Sequence, residues 1–280
     1  MGGIRPIEEK DLPGIVTLFD EMFPGRGAAY FEAGLKRIAA REIPEGTETY
    51  GYMVDDDGPK GAILTISTWH GPPDDRQLFI NLSTWCAQRS HLQFARELYR
   101  LGGERNDAVN TNLSAALHTL KTVTKCGYKA RTTGQFAGFA VRGPRSKARV
   151  LTPEQALAKG MPPYLGKVLA DHAELGALTP CLEAEGRILP LIILRRRIKG
   201  IIPAAQLIYC EDTSWLLRHG HALFGWLRLR GLPALLVDAN EPTPQLVGRF
   251  FPGKGARYMR GQDPRMDVDH SSTEMVYLGI

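Results

Sequence analysis

A strand–helix–strand–helix order that occurs twice along 280 residues constrains this chain more than any single motif. The first copy reads Leu78-Phe79-Ile80-Asn81-Leu82-Ser83-Thr84-Trp85-Cys86, a helical run, then Ala108-Val109-Asn110-Thr111-Asn112, and closes at Gly127-Tyr128. The second reads Ala204-Ala205-Gln206-Leu207-Ile208-Tyr209-Cys210, a helical run, Ala234-Leu235-Leu236-Val237-Asp238 with Asn240, and closes at Gly255 and Tyr258. Asn112 stands as far before Gly127 as Asn240 before Gly255, and an aromatic–cysteine pair ends the earlier strand of each copy. A repeat longer than solenoid periods reads as a duplicated domain.

The chain is long enough for two domains with full cores. Hydrophobic content of 43% and charged content of 23% exclude wholesale disorder. No apolar run reaches membrane-spanning length, and Glu8, Glu9 and Asp11 stand where a signal peptide would be apolar, so a cytoplasmic protein with no membrane partner is expected. Cys86, Cys126, Cys181 and Cys210 form no C-x-x-C pair, which argues against zinc, redox and disulfide frameworks. The first 143 residues are charge-balanced, and the whole +5 excess lies in the rest. That excess is compatible with a polyanionic partner and equally with ordinary surface charge.

Leu12, Ile15, Val16, Phe19 and Met22 fall on one face of a first helix, with Asp11 as its cap and Pro13 in its first turn. A second helix is predicted over Tyr30–Arg41. Thr49–Val54 and Gly61–Trp69 read as a hairpin across Asp55-Asp56-Asp57-Gly58-Pro59, followed by a strand over Gln77–Cys86. Helices are predicted over about Ser90–Leu101 and Ser114–Cys126, with short strands near Arg131–Thr133 and Phe136–Arg142. The polar stretch Gly143–Lys147 marks the boundary between domains 1–143 and 144–280. Beyond it, strands are predicted near Gly186–Arg197, Ile202–Cys210 and Pro233–Asp238. Thr213–Arg230 reads as one helix, Pro244–Phe251 as a short helix and Glu274–Gly279 as a closing strand.

The Ile4-Arg5-Pro6 strand, the capped helix, the acidic hairpin and the helix closing on Gly127-Tyr128 resemble the GNAT (N-acetyltransferase and acyl-CoA acyltransferase) superfamily over about residues 1–142. The second half resembles it more loosely. The resemblance implies an α/β (mixed α+β) fold class. Two GNAT-like domains are expected, each a mostly antiparallel mixed sheet with a splayed parallel strand pair and helices on both faces, the second degenerate. It further implies an acyltransferase that takes acetyl-CoA or another acyl-CoA, without a metal, and attacks the thioester directly with an amine or hydroxyl acceptor.

On that resemblance, the backbone of Leu82, Ser83 and Thr84 polarises the thioester. Gln88, Arg89, Ser90, His91, Leu92 and Ala95 hold the pyrophosphate, where free amides and a helix dipole favour an anion. Asn112 meets the pantetheine arm or caps a helix. The chain departs from the family at Leu92 and Glu97, where small residues are usual, with Arg89 and Arg96 as compensating cations. It departs again at Val123 and Phe251, where a proton-donating tyrosine is common. His118, placed beside Ser114 on one helical face, and Tyr128 are then the candidate acid and base, with Thr124 or water as substitutes. Trp69 and Trp85 are candidate walls of the acceptor pocket, and core packing is the competing reading. Glu211 and Asp212 would repel a pyrophosphate in the second half.

His219 and His221 diverge on a helix and share no metal. Gly253-Lys254-Gly255 lacks the spacing of a phosphate loop. Arg195-Arg196-Arg197-Ile198-Lys199 reads as a charged strand end, or as a phosphate or RNA contact. The expected partner is a small-molecule or peptide acceptor. The alternatives are an aminoacyl-tRNA-dependent transferase and a non-catalytic acyl-CoA binder.

Overall fold

The computed structural model describes residues 2–279, which form two compact units. The first comprises residues up to Arg131 together with Arg257–Asp263 and Ser272 onward. The second comprises Thr132–Ala256 and Pro264–Ser271. The division therefore differs from a single cut at Gly143, because two C-terminal segments return to the first unit.

The first unit begins with strand β1 (Gly3–Pro6), helix α1 (Leu12–Met22) and helix α2 (Ala28–Ala39). Asp11 does not cap α1 with its side chain. Its Oδ2 instead accepts from the Glu8 N–H at 2.9 Å, while Arg5 Nη1 and Nη2 reach its carboxylate at 2.6 and 2.8 Å. Ile15, Phe19, Phe31, Leu35 and Ile38 are buried, as the helical spacing requires.

Strands β2 (Gly51–Asp55), β3 (Pro59–His70) and β4 (Gln77–Ala87) form the expected antiparallel run. A 3-10 turn over Arg89–Phe94 precedes α3 (Ala95–Gly102), so the predicted single helix from Ser90 starts five residues later. Strand β5 (Val109–Asn112) and helix α4 (Leu120–Lys125) follow. Leu78, Ile80 and Leu82 of β4 pack with Leu98 and Tyr99 of α3 in one core, and the alternate residues Phe79, Asn81 and Ser83 are buried on the other face.

The chain passes into the second unit along β6 (Lys129–Val141), a single strand where two short ones are predicted. A three-stranded sheet then forms from β7 (Arg149–Leu151), β8 (Cys181–Ala184) and β9 (Arg187–Pro190), with α5 (Pro153–Ala158) and α6 (Pro163–Glu174) between β7 and β8. Thr152 caps α5 with a reciprocal Gln155 contact. Strands β10 (Ile192–Ile198) and β11 (Ile202–Cys210) pair antiparallel. The predicted helix from Thr213 is two helices, α7 (Thr213–His219) and α8 (His221–Arg228), separated at Gly220.

Strand β12 (Ala234–Ala239) runs parallel to β11 and antiparallel to β6. Strand β13 (Leu246–Gly261) replaces the helix predicted over 244–251, and it contains Gly253-Lys254-Gly255. The sequence repeat therefore fails at its last element. The C-terminal end of β13 pairs with β5 in the first unit, Tyr258 opposite Asn112 and Gly261 opposite Val109. After the two-residue strand β14 (Val268–Asp269), the chain ends in helix α9 (Glu274–Tyr277) rather than a strand. The Thr273 hydroxyl caps α9 by accepting from the Met275 N–H.

Candidate active site

The site of the first unit starts from two parallel strands that part. β4 and β5 pair only over Phe79–Asn81 and Val109–Thr111, after which β4 continues to Ala87. Asn81 sits at the vertex with 1% exposure. Its Nδ2 donates to Thr111 Oγ1 at 3.1 Å across the pair, and its Oδ1 accepts from the Glu274 N–H at 3.0 Å. The amide thus ties β4, β5 and α9 together where the gap begins.

Immediately past the vertex, β4 bulges. Ala62 and Leu64 of β3 oppose Cys86 and Ser83, so one β4 residue in this interval lacks an opposite number. Thr84 takes a left-handed φ of 44°, which a β-branched residue adopts only when its surroundings hold it there. The bulge re-aims the backbone of Ser83, Thr84 and Trp85 toward the gap.

A cavity of about 220 Å³ fills the gap. Leu82, Ser83, Thr84 and Trp85 form one wall, Asn112, Ser114, Ala115 and Ala116 another, and His118 and Thr119 stand at the edge. Phe23, Arg26, Tyr30 and Phe31 close it from the α1–α2 turn, where Gly25 and Gly27 with φ of 95° and 82° let the chain reverse. The lining is aromatic on the side of Phe23, Tyr30 and Phe31 and polar at Ser83, Thr84, Asn112, Ser114, His118 and Thr119, and its one formal charge among the described residues is Arg26. That guanidinium lies 5.1 Å from the centroid of the Tyr30 ring.

The structure therefore brings together Leu82, Ser83, Thr84, Trp85, Asn112 and His118 of the sequence-derived residues. Trp85 donates from Nε1 to the Ala95 carbonyl at 3.0 Å and packs on Tyr99 with ring centroids 4.9 Å apart. Asn112 caps no helix; its Nδ2 donates to the Tyr99 hydroxyl at 2.9 Å. His118 lies on a 3-10 turn, Leu117–Thr119, because residues 113–116 are not helical. Ser114 and His118 thus do not share a helical face as expected, although both line the cavity.

Two expected residues stand elsewhere. Trp69 is paired with Leu78 at the opposite end of the β3–β4 ladder and is 41% exposed. Tyr128 is 2% exposed in the core, packed edge-on to Tyr99 and under Gly103, whose missing Cβ leaves room for the phenol. Burial raises the Tyr128 phenol well above its usual range, and it does not line the cavity. Burial likewise pushes the Cys86 thiol up to about 12, so it is no thiolate nucleophile at neutral pH.

Tyr99 is the phenol that sequence reasoning missed. Its hydroxyl accepts from Asn112, which leaves its own proton available, and burial raises its pKa. Nothing in the local sequence separates Tyr99 from an ordinary core aromatic. The α1–α2 turn did carry a signal, an aromatic–arginine cluster around two glycines.

Gln88 to Ala95 follow β4 directly without lining the cavity. His91 bridges Ser90 Oγ at 2.8 Å and Asp56 Oδ2 at 3.1 Å, which pins this turn to the β2–β3 hairpin. Glu97 is held by Arg100 at 2.7 Å, so its charge is neutralised within α3. Arg89 and Arg96 are exposed.

The second unit repeats the parting strands and then fills the gap. β11 and β12 pair over Ala204–Gln206 and Ala234–Leu236. Beyond that point β14 pairs with β11, Asp269 opposite Tyr209 and Val268 opposite Cys210, and the His270 N–H donates to the Ile208 carbonyl at 2.7 Å. The His270 side chain reaches Asp238 of β12 at 3.2 Å. At the α7 N-terminus, Asp212 accepts from the Trp215 N–H at 2.8 Å and Asp267 from the Thr213 N–H at 2.9 Å. The chain's own carboxylates occupy the amides that a phosphate would need.

Solved structures share this architecture. A GCN5-related N-acetyltransferase from Anabaena variabilis superposes with a TM-score of 0.55 at 9% identity, over 93% of this chain and 73% of that one. The chain has the GNAT fold. A GCN5-related N-acetyltransferase from Kribbella flavida matches the GNAT fold of this chain with a TM-score of 0.51 at 11% identity, over 92% and 70% of the two chains. A Pyrococcus horikoshii protein proposed to be an acetyltransferase matches with a TM-score of 0.53 at 13% identity, over 96% and 92%. No protein-family model matches the sequence, and no curated protein matches it. Among the described residues no helix is long and apolar enough to cross a membrane.

Proposed function

We propose that the first unit binds an acyl-CoA, with acetyl-CoA as the first choice, and transfers the acyl group to an amine or hydroxyl of a small-molecule or peptide acceptor. The observation that carries this reading is the open gap between β4 and β5, with a strand bulge at its mouth and a cavity inside it. An acyl chain entering the gap meets the re-aimed backbone of Ser83–Trp85, where N–H groups would stabilise the oxyanion of the tetrahedral intermediate. Tyr99, which lines the cavity, is the group we assign to protonate the departing thiolate, and His118 at the edge stands where an acceptor would enter. Arg89 and Arg96 beside the Gln88–Ala95 turn are the cations we assign to the diphosphate. The second unit, with its gap filled by β14, is assigned no acyl-CoA of its own.

The acceptor side is aromatic with a single arginine. That chemistry favours an acceptor bearing an apolar group and a carboxylate over a polycation. A melting-temperature screen with acetyl-CoA, longer acyl-CoAs and free CoA tests the reading. Stabilisation by CoA species, lost when Arg89 and Arg96 are both changed to Ala, is expected. CoA release from acetyl-CoA in the presence of L-phenylalanine, tryptamine, putrescine or a lysine-containing peptide then reports transfer. Unchanged melting at saturating CoA species overturns the assignment.

A further inference from the structure

Glu274 is a charged residue with no place in the reading above, and its position is costly. It begins helix α9 with 0% exposure. A carboxylate taken wholly out of water needs partners for both oxygens. Ser114 Oγ donates to its Oε1 at 3.0 Å, while its Oε2 has no hydrogen-bond partner. The charge of the buried Arg257 favours the ion, yet Oε2 stays without a hydrogen-bond partner, and a half-satisfied acid group behind a cavity-lining hydroxyl is suited to proton chemistry.

Ser114 supplies the connection. It is an exposed residue, and it lines the cavity on one side while reaching the buried carboxyl on the other. A hydroxyl that donates to a carboxylate keeps its lone pairs free to accept from an incoming N–H. We propose that Ser114 and Glu274 form a two-residue proton relay, in which Glu274 takes up, through the Ser114 hydroxyl, the proton that the attacking amine sheds.

The step rests on the acyl-transfer reading. The amine nitrogen forms a bond to the thioester carbon and the C–S bond breaks, the sulfur leaving with the electron pair. One proton moves from the nitrogen to Ser114 Oγ as the Ser114 proton moves to Glu274 Oε1. The thiolate takes a proton from the Tyr99 phenol, which is restored from solvent, and Glu274 returns its proton through Ser114. Burial raises the Glu274 pKa, which makes it a stronger base than a surface glutamate. The Ser114 hydroxyl and the buried Arg257 act in the opposite sense and favour the ion. Tyr99 is the other titratable group that feels it.

The test uses the full chain, acetyl-CoA and the amine panel, with acetyl-CoA affinity and melting temperature measured beside the rate. Glu274→Gln preserves shape and the Ser114 contact. It is expected to lower kcat/KM about 100-fold, leave acetyl-CoA affinity unchanged and abolish the fall in rate on the acid side of the pH profile. Ser114→Ala should do the same, and its exposure keeps it from unfolding the chain. Ser114→Thr should restore the rate, and Glu274→Asp should restore it partly. A wild-type pH profile in Glu274→Gln, or an undiminished rate in Ser114→Ala, overturns the relay. Transfer to no panel amine despite acetyl-CoA binding overturns the relay and leaves the acyl-CoA reading intact. Failure to bind acetyl-CoA overturns that reading and the relay with it.

Discussion

Asn81→Ala perturbs the vertex from which the whole site opens. The substitution removes the bond to Thr111 Oγ1 and the acceptor of the Glu274 N–H, both in surroundings with at most 1% exposure. Two net hydrogen bonds are worth about 2 kcal/mol, and a buried N–H left unpaired adds about 1 kcal/mol or more. For a unit of this size about 3 kcal/mol corresponds to a fall in melting temperature of roughly 6–12 °C. Thr111→Val is the internal standard, because it removes only the first bond and should cost about 1 kcal/mol. The assay is thermal unfolding followed by circular dichroism, with and without saturating acetyl-CoA. Stabilisation by acetyl-CoA should also shrink in Asn81→Ala, since β4 and β5 lose the tie that sets where they part. If Asn81→Ala melts no lower than Thr111→Val, the amide does not hold the vertex.

Tyr99→Phe should cost about 1 kcal/mol, because Asn112 loses its acceptor, and should slow acyl transfer about 100-fold at unchanged acetyl-CoA affinity. An unchanged rate would show that another group protonates the thiolate. Arg26→Gln should raise KM for L-phenylalanine and leave KM for tryptamine unaltered, and equal effects on both would refute the carboxylate assignment. The Arg5 guanidinium holds the Asp11 carboxyl down to about 2. A depressed carboxylate stabilises the fold above its unfolded pKa, and that contribution is lost as pH falls from about 4 toward 2. The gap in melting temperature between wild type and Asp11→Asn should therefore be full at pH 7 and narrow across that window. A gap independent of pH would mean that Asp11 acts through packing alone.

The hairpin, the strand over 77–87 and the first two helices were legible because each follows a single local rule. Turn chemistry and β-branched content mark β3 and β4, which are buried on both faces, and a period near 3.6 buries Ile15, Phe19, Leu35 and Ile38. Residues 244–251 were misread because Leu246 and Phe250 are four apart. That spacing puts them on one face of a helix and equally on one face of a strand, and in β13 both pack into the second core. The end of the chain reads as a strand from Met275, Val276 and Tyr277, whereas Thr273-Glu274 is a helix start. The lining of the candidate site was legible along β4 and at Asn112 and His118, which follow the parting strands. Tyr128 and Trp69 stand away from the cavity because distance from the gap depends on strand direction and helix packing.

By itself the sequence determined most of the alternation of strands and helices, and it pointed to a parallel strand pair in each half. Local periodicity and turn chemistry suffice for that, because they act over a few residues. Only the tertiary structure decided which gap stays open, since β14 reaches the edge of β11 from nearly sixty residues downstream. Only it placed Glu274 behind Ser114, 160 residues away in the chain. Long-range strand pairing and burial set those positions, and neither leaves a mark in the neighbouring residues.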